Sequence, residues 1–440
     1  MGSYIANTEA EQQEMLQASG FSRMEDLFAG IPEAVKLKKG LDLPAGKSEL
    51  EVSRIMEDLA ARNTVYRTIL RGAGAYHHYI PAIVKSVTGK EEFVTAYTPY
   101  QAEISQGILQ AIFEFQTMIC ELTGMDVANA SVYDGATAAA EAAAMCQERK
   151  KKNTVYVAAT VHPEVLEVIR TYCFGSGHEV VVVPARDGVT DAAALRQSLD
   201  ADASCFIMQQ PNYYGNIEPA AELGEITHAA GAKYVMSMDP IAMASLPTPA
   251  ECGADVAVGD GQPLGLPLAM GGPYLGFMTA TKAMMRKLPG RLVGETTDAD
   301  GRRAYVLTLQ AREQHIRREK ASSNICSNQE WCALTASVYL AAMGSAGLRE
   351  VASQCAAKAH YLQQALAKAG LAPKYSGEFF SEFVTAADVP AAKVLAALEA
   401  HGILGGLPLS EREILWCATE MNTKDELDET ARLVGEVCGK

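Results

Sequence analysis

The chain has 440 residues, of which 48% are apolar and 21% charged, ordinary globular values for a chain able to bury a large core and to form more than one domain. A net charge of −15 argues against general binding to nucleic acid or to an anionic membrane, and no apolar run reaches the ~18 residues that span a bilayer. The acidic start MGSYIANTEAEQQEML lacks a secretory pattern, and ten scattered cysteines without CxxC pairs point to reduced thiols in a cytoplasmic protein rather than a disulfide frame or a metal site.

Residues 1–70 are expected to form a helical N-terminal extension. Ser48 followed by Glu51 has the form of a capping box, and the helix it opens should carry Leu50, Ile55 and Leu59 inward and end near Asn63. The stretch RGAGAYHHYIPAIV places Gly72 and Gly74 before Tyr76, His77, His78 and Tyr79, either a loop with aromatic anchors or a pocket wall. Adjacent histidines point in different directions, against a shared metal, and Pro81 should stop any helix. Ile104, Ile108, Ile112, Phe115, Ile119 and Leu122 recur on one helical face that Gly124 ends. Ahead of that helix, Tyr97, Tyr100 and Gln101 flank Pro99 on a rigid turn. Such phenols can bind a carboxylate or cover a cofactor, or simply hydrogen-bond to backbone. Asp134-Gly135-Ala136-Thr137 opens the next helix. Its small residues could seat a phosphate on free N–H groups, but the charge of Asp134 repels one and suits an N-cap better. The run from Arg149 to Lys152 complements that helix's C-terminus.

From Thr154 the pattern alternates strand and helix through TVYVAA, EVVVVP, CFIMQQP and KYVMSM, which predicts a doubly wound, mostly parallel sheet. Asn212 and Tyr213 follow the third of these strands, and Asp239 ends the fourth, where α/β ligands bind. Asp255–Val258 is another strand, closed by Gly259, Asp260 and Gly261 and followed by Gln262. Tyr274–Ala280 is a further one, and a helix should begin at Lys282. Residues 290–303 should be a mobile loop. Arg312, His315, Arg317 and Lys320 then crowd together, either as a solvated helix face with a Glu313–Arg317 pair or as a site for a phosphate or an acidic partner. Helices from Glu330 to about Met343 and from Leu348 to Ala369 lead into a small α+β segment. The expected division is 1–70, a large α/β domain over 71–309, and a linking helix with a small domain over 310–440.

An acid at the position of Asp239 pairs with the pyridine nitrogen in pyridoxal phosphate enzymes, and a lysine a few tens of residues on holds the aldehyde. Between Asp239 and Lys282 there is no lysine, arginine or histidine. The fold resembles the fold-type-I pyridoxal phosphate enzymes. More specifically, AYTPYQAEISQGILQAIFEFQT, NASVYDGATAAAEA, ADVAVGDGQPLGLPLAMGGPYLGF and LTLQAREQHIRREKASSNIC resemble the glycine decarboxylase P-protein, and above all the first subunit of its split form. Together these motifs span most of the chain in family order.

The resemblance implies a subunit of glycine dehydrogenase (aminomethyl-transferring) that is inactive alone. In such a system the second subunit carries the lysine and the pyridoxal phosphate, which is then not covalently held by this chain. The pair can form an α2β2 tetramer, decarboxylates glycine and passes the aminomethyl group to lipoylated H-protein, in linkage with T-protein and L-protein. Tyr97, Tyr100 and Gln101 become candidates to complete the partner's pocket across the interface. Arg312, His315, Arg317 and Lys320 become candidate anion or partner contacts. Asp239, Asn212, Asp260 and Gln262 would line a degenerate cofactor crevice. Two other readings stand beside this one: an independent pyridoxal enzyme using Lys282 or Lys320, and a subunit that is scaffold only.

Overall fold

The computed structural model describes residues 6–147, 152–269 and 271–440, so that Arg149 to Lys151 of the basic run lie outside the described residues. The chain falls into two compact units, Met1–Thr64 and Val65–Lys440. In the first, α1 (Glu9–Ala18) and α2 (Glu49–Ala60) each start from a capping box, Thr8 with Glu11 and Ser48 with Glu51. Each box satisfies two N–H groups that the helix start leaves free. The inward face expected of α2 is not found. Leu50, Ile55 and Leu59 are all exposed, because this unit has too few elements to cover an amphipathic stripe; Leu16 is its one buried residue among those described.

In the second unit Pro81, expected to stop a helix, instead precedes one. Its backbone, at φ −57°, serves as the N-cap of α3 (Ala82–Thr88). The long helix α4 (Gln106–Thr123) ends at Gly124, whose φ of +69° is the left-handed turn that glycine supplies. Its buried face is Leu109, Ile112, Phe115 and Ile119, while Ile104 lies before the helix and is exposed.

The main sheet has seven strands: β1 (Val127–Ala128), β2 (Thr154–Ala158), β3 (Glu179–Val183), β4 (Ala203–Gln210), β5 (Lys233–Met238), β6 (Val256–Asp260) and β7 (Gly276–Ala280), in the spatial order 3-2-4-5-6-7-1. The pairs from β3 across to β6 are parallel, and β7 is antiparallel to both its neighbours. This is the mostly parallel, doubly wound sheet that the alternation predicts. Strands β2 and β4 are buried almost throughout, as continuous apolar runs must be when helices cover both faces. The covering helices are α5 (Gly135–Cys146), α6 (Pro163–Ser176), α7 (Ala192–Ser198) and α8 (Ala220–Ala229). Each large apolar side chain in such a core contributes ~1.5–3 kcal/mol.

Three stretches differ from expectation. No helix begins at Lys282, where the chain makes turns and a short 3-10 segment, Met285–Lys287. The region expected as a mobile loop is a hairpin of β8 (Leu292–Thr297) and β9 (Arg303–Thr308), closed by Asp298, whose Oδ1 accepts from the Asp300 and Arg302 N–H groups, and by Gly301 at φ +79°. The cationic cluster is not one helix but three single turns. Leu309 and Arg318 both have positive φ, and the Arg317 guanidinium donates to the Ala311 carbonyl (3.1 Å), so no Glu313–Arg317 pair forms among the described residues.

Beyond it, α9 (Gln329–Ala369) runs through a break at Gly344 (φ 60°, ψ 178°), which yields the two expected helices. By length and composition α9 could cross a membrane. Its packing makes it a core element instead: Cys332, Ala336 and Tyr339 belong to the core of the main sheet, and Leu362 and Leu366 to a second core. That second core lies under a four-stranded antiparallel sheet of β10 (Ala372–Pro373), β11 (Glu382–Ala386), β12 (Leu407–Pro408) and β13 (Glu413–Cys417), with α10 (Ala391–Glu399) and α11 (Lys424–Cys438).

Candidate functional site

The strand order reverses between β2 and β4, and ligands of open α/β sheets bind in the crevice at the carboxyl ends of the strands beside such a point. A cavity of about 300 Å³ occupies this place. His162, the N-cap of α6, stands on the β2 side. Asp239 follows β5, Asp260 ends β6, and Asp134 and Gly135 form the start of α5. Two walls come from far away in sequence: the loop Ala73–Tyr76 and Glu382 of the small sheet. Glu382 reaches the cavity because the two sheets are stitched together, with the Phe380 N–H on the Gly215 carbonyl (3.2 Å) and the Ile217 N–H on the Glu378 carbonyl (2.9 Å). Gly215, at φ +85°, has no room for a side chain there, since a Cβ would stand 1.9 Å from the Glu382 carbonyl oxygen.

The electrostatics of the cavity are one-sided. Asp134, Glu164, Asp239, Asp260 and Glu382 line it, and among the described residues no lysine or arginine does. Burial pushes the Asp260 carboxyl up to about 6, with Asp134 nearby adding to the rise, and pushes Glu382 up to about 7. Glu382 accepts from the Ala73 N–H (2.6 Å) and the Tyr76 hydroxyl (2.8 Å). Burial also raises Asp239, against the pull of His78 and of the Ile241 N–H that one of its oxygens accepts (2.8 Å). The His162 ring is fixed at both nitrogens: Nε2 donates to the Ala73 carbonyl (3.0 Å) and Nδ1 accepts from the Glu164 N–H (3.2 Å).

This crevice does not fit pyridoxal phosphate. An acid and an aromatic ring stand where a pyridine would lie, but among the described residues no lysine lines the crevice to take the aldehyde. At the helix start where a phosphate would sit, Asp134 Oδ1 accepts from the Thr137 N–H (2.7 Å) and Asp260 Oδ2 from the Gly135 N–H (3.0 Å). The expected N-cap at Asp134 is therefore found.

Two residues assigned to the crevice by sequence are turned away from it. Asn212 is buried after β4 and spends its side chain on the Gly188 carbonyl (2.8 Å), on Glu218 (2.7 Å) and on the Tyr214 and Asn216 N–H groups, bracing a turn. Gln262 is buried too, and clamps the backbone of Tyr76 from both sides (2.8 and 2.9 Å) and the Leu266 carbonyl. Tyr76, expected in a stretch that was either a loop with aromatic anchors or a pocket wall, lines the cavity, and His162 and Glu382 were the missed residues. His162 had a signal, a His-Pro pair after a strand, and Glu382 had none. His78 joins Glu420 (2.8 Å), which also accepts from the Cys355 thiol (3.3 Å) and the Tyr79 N–H (2.6 Å), a hydrogen-bonded knot tying the loop to α9 and the small sheet.

A second region is built around Tyr97, Tyr100 and Gln101, all exposed, which line a surface groove of about 740 Å³ with Phe93 and Ile104. It shares no lining residue with the crevice. Tyr100 lies under the Arg291 guanidinium (5.3 Å to the ring centre), and Arg291 also donates to its hydroxyl (3.3 Å) and faces Glu330 (3.7 Å). Hydrogen bonds from Arg291 and then Thr98 hold the exposed Cys326 thiol below its ordinary range. Of the cationic cluster, His315, Arg317 and Lys320 are exposed. Arg312 is partly buried and donates to the Gly290 (2.9 Å) and Leu309 (3.2 Å) carbonyls, which makes it a backbone brace and not an open anion contact.

Comparison with known proteins agrees with this architecture. The glycine cleavage system P-protein family matches residues 2–434. The chain is 51% identical to a probable glycine dehydrogenase (decarboxylating) subunit 1 of Moorella thermoacetica, covering 97% of each, and 49% identical to one of Bacillus subtilis, covering 98% of each. A crystal structure of a glycine decarboxylase (P-protein) of the glycine cleavage system, in inhibitor-bound form, superposes with a TM-score of 0.92 at 41% identity, over 99% of this chain and 100% of that one. A NifS-like protein (TM-score 0.63, 14% identity, 85% of this chain and 99% of that one) shares the fold alone. So does an alanine–glyoxylate aminotransferase from Nostoc sp. (0.59, 16%, 85% and 96%), which marks the architecture as fold type I of the pyridoxal-phosphate-dependent enzymes. The chain belongs to the glycine cleavage system P-protein family.

Proposed function

We propose that the chain is the lysine-free first subunit of a two-chain glycine decarboxylase, and that it works by completing a site carried on a lysine-bearing second subunit. The observation that carries this is the crevice itself: a fold-type-I cavity whose lining, among the described residues, has no lysine and no arginine. Pyridoxal phosphate is the cofactor of the family and supplies the electron sink that decarboxylation of an amino acid needs. On this reading it belongs to the second subunit. The full assembly is α2β2, passes the aminomethyl group to the lipoyl arm of H-protein and works with T-protein and L-protein in the cytoplasm.

This chain's own contribution is the surface at Tyr97, Tyr100 and Gln101. These side chains are exposed on a groove away from their own crevice, as groups serving a neighbour's pocket must be. Arg291 orients the Tyr100 phenol, so that its hydroxyl can meet a carboxylate from a fixed direction. Exposed Arg317 and Lys320, with His315 beside them, offer a docking face for an acidic partner.

The test is reconstitution. Glycine–bicarbonate exchange should be absent from each subunit alone and present in the mixture. Tyr97→Phe and Tyr100→Phe should lower turnover of the mixture about tenfold or more while leaving complex formation on a sizing column unchanged. Exchange by this chain alone would overturn the composite site, and unchanged kinetics would remove the two phenols from it.

A further inference from the structure

We infer that this chain's crevice rejects pyridoxal phosphate because its own carboxylates occupy the anion seat, and not only because the lysine is missing. The inference deepens the reading of the chain as the lysine-free subunit and rests on it for its consequence, one cofactor per pair of subunits.

The seat is the first turn of α5, a 12-residue helix whose leading N–H groups have no partner within the helix. In an open site those groups and the helix dipole attract phosphate. Here Gly135 N–H donates to Asp260 and Thr137 N–H to Asp134. Neither carboxylate is free to swing aside. Asp134 is the N-cap of its own helix, and the other oxygen of Asp260 accepts from the Gln262 N–H (2.9 Å). The strand end and the helix start also abut: a Cβ on Gly135 would stand 3.0 Å from the Asp260 backbone nitrogen. A phosphate entering this place has to displace two carboxylates and then lie beside them, with no lysine or arginine in the lining to offset the repulsion. The pyridine end of the crevice is preserved in Asp239 and His162, while the phosphate end has reversed its charge preference. A lysine restored to the loop after β6 therefore faces a site that still excludes the phosphorylated aldehyde.

Pro263 lines the cavity on that loop, so P263K places an amine in it. The purified full-length chain carrying P263K is incubated with pyridoxal phosphate or with phosphate-free pyridoxal, reduced with borohydride, and the modified peptide is measured by mass. P263K alone should trap pyridoxal in preference to pyridoxal phosphate. Adding D134N and D260N should shift the ratio toward the phosphate ester by about tenfold or more, the change expected when two repelling charges become neutral acceptors. Equal trapping of pyridoxal phosphate with and without D134N/D260N would overturn the inference. A lysine-free measurement guards against a misfolded P263K: the melting temperature of wild type and of D134N/D260N in inorganic phosphate against chloride of equal ionic strength. Asparagine is as good an N-cap as aspartate, so the helix start survives the change. Phosphate stabilises folded chains in general, so the melting temperature should rise more for the double variant than for wild type, and equal rises would overturn the inference. Failure of the subunit reading shows elsewhere, as a reconstituted mixture without exchange activity, and these single-chain binding measurements are blind to it.

Discussion

Glu382 is buried at the cavity wall with both oxygens accepting hydrogen bonds, from the Ala73 N–H and the Tyr76 hydroxyl, yet burial raises its carboxyl from 4.5 to about 7. A folded-state value above the unfolded one means that the folded chain binds more protons between the two. The stabilisation is complete below about 4.5 and is lost as pH rises through about 7, by on the order of 3 kcal/mol for the shift as it stands. Asp260, raised from 3.8 to about 6, acts with the same sign over a lower window. Glu382→Gln keeps an oxygen for the Ala73 N–H and presents an amide to the Tyr76 oxygen, so it removes the titration and little else. Urea unfolding of wild type and E382Q should show the variant gaining stability relative to wild type from pH 5 to pH 8. A difference that stays constant with pH would mean that Glu382 is ionised throughout. No signal in the sequence marked this residue, because Ala73 and Tyr76 lie more than 300 positions away and only the folded chain brings them together.

At the scale of elements, α9 joins the two cores and turns at Gly344, whose φ of 60° and ψ of 178° lie in a region that only glycine adopts without strain. Nothing stands within 4 Å of a Cβ built there, so Gly344→Ala meets no steric obstacle and isolates the backbone term. It should destabilise the chain by about 1–3 kcal/mol, read as a lower urea midpoint with an unchanged slope. A neutral substitution would show that the two halves of α9 can straighten. This break was legible, since the sequence reads as two helices, Glu330 to about Met343 and Leu348 to Ala369, on either side of it. The β8–β9 hairpin was not, because its glycines and acids look like loop and its register depends on Asp298 capping the turn. The cluster after Leu309 was misread for a related reason. Its charge spacing suits a helix, but positive φ at Leu309 and Arg318 breaks it into single turns, and backbone carbonyls take the guanidinium groups of Arg312 and Arg317.

For the molecule as a whole, the parts of the site that lie close together in sequence were readable: Asp239 at a strand end, the missing lysine after it, Asp134 as a cap. The parts contributed by folding were not: the His162 ring locked against the loop, Glu382 in the wall, and Asp260 closing the helix start. Together they describe a chain that keeps the architecture of a cofactor site while spending its anion seat internally, and that presents its exposed phenols on a different surface. On the reading proposed above, a complex of this chain with a lysine-bearing partner has one working site per pair, whatever the number of pairs. Saturating the reconstituted complex with pyridoxal phosphate, reducing it with borohydride and digesting it should therefore give one modified lysine peptide per pair of subunits, derived from the second subunit alone. The visible absorbance of the complex should saturate at the same ratio. If two cofactors bind per pair, or if a peptide of this chain carries the adduct, the crevice at Asp239 is open after all, and the asymmetry between the subunits lies in their surfaces and not in their pockets.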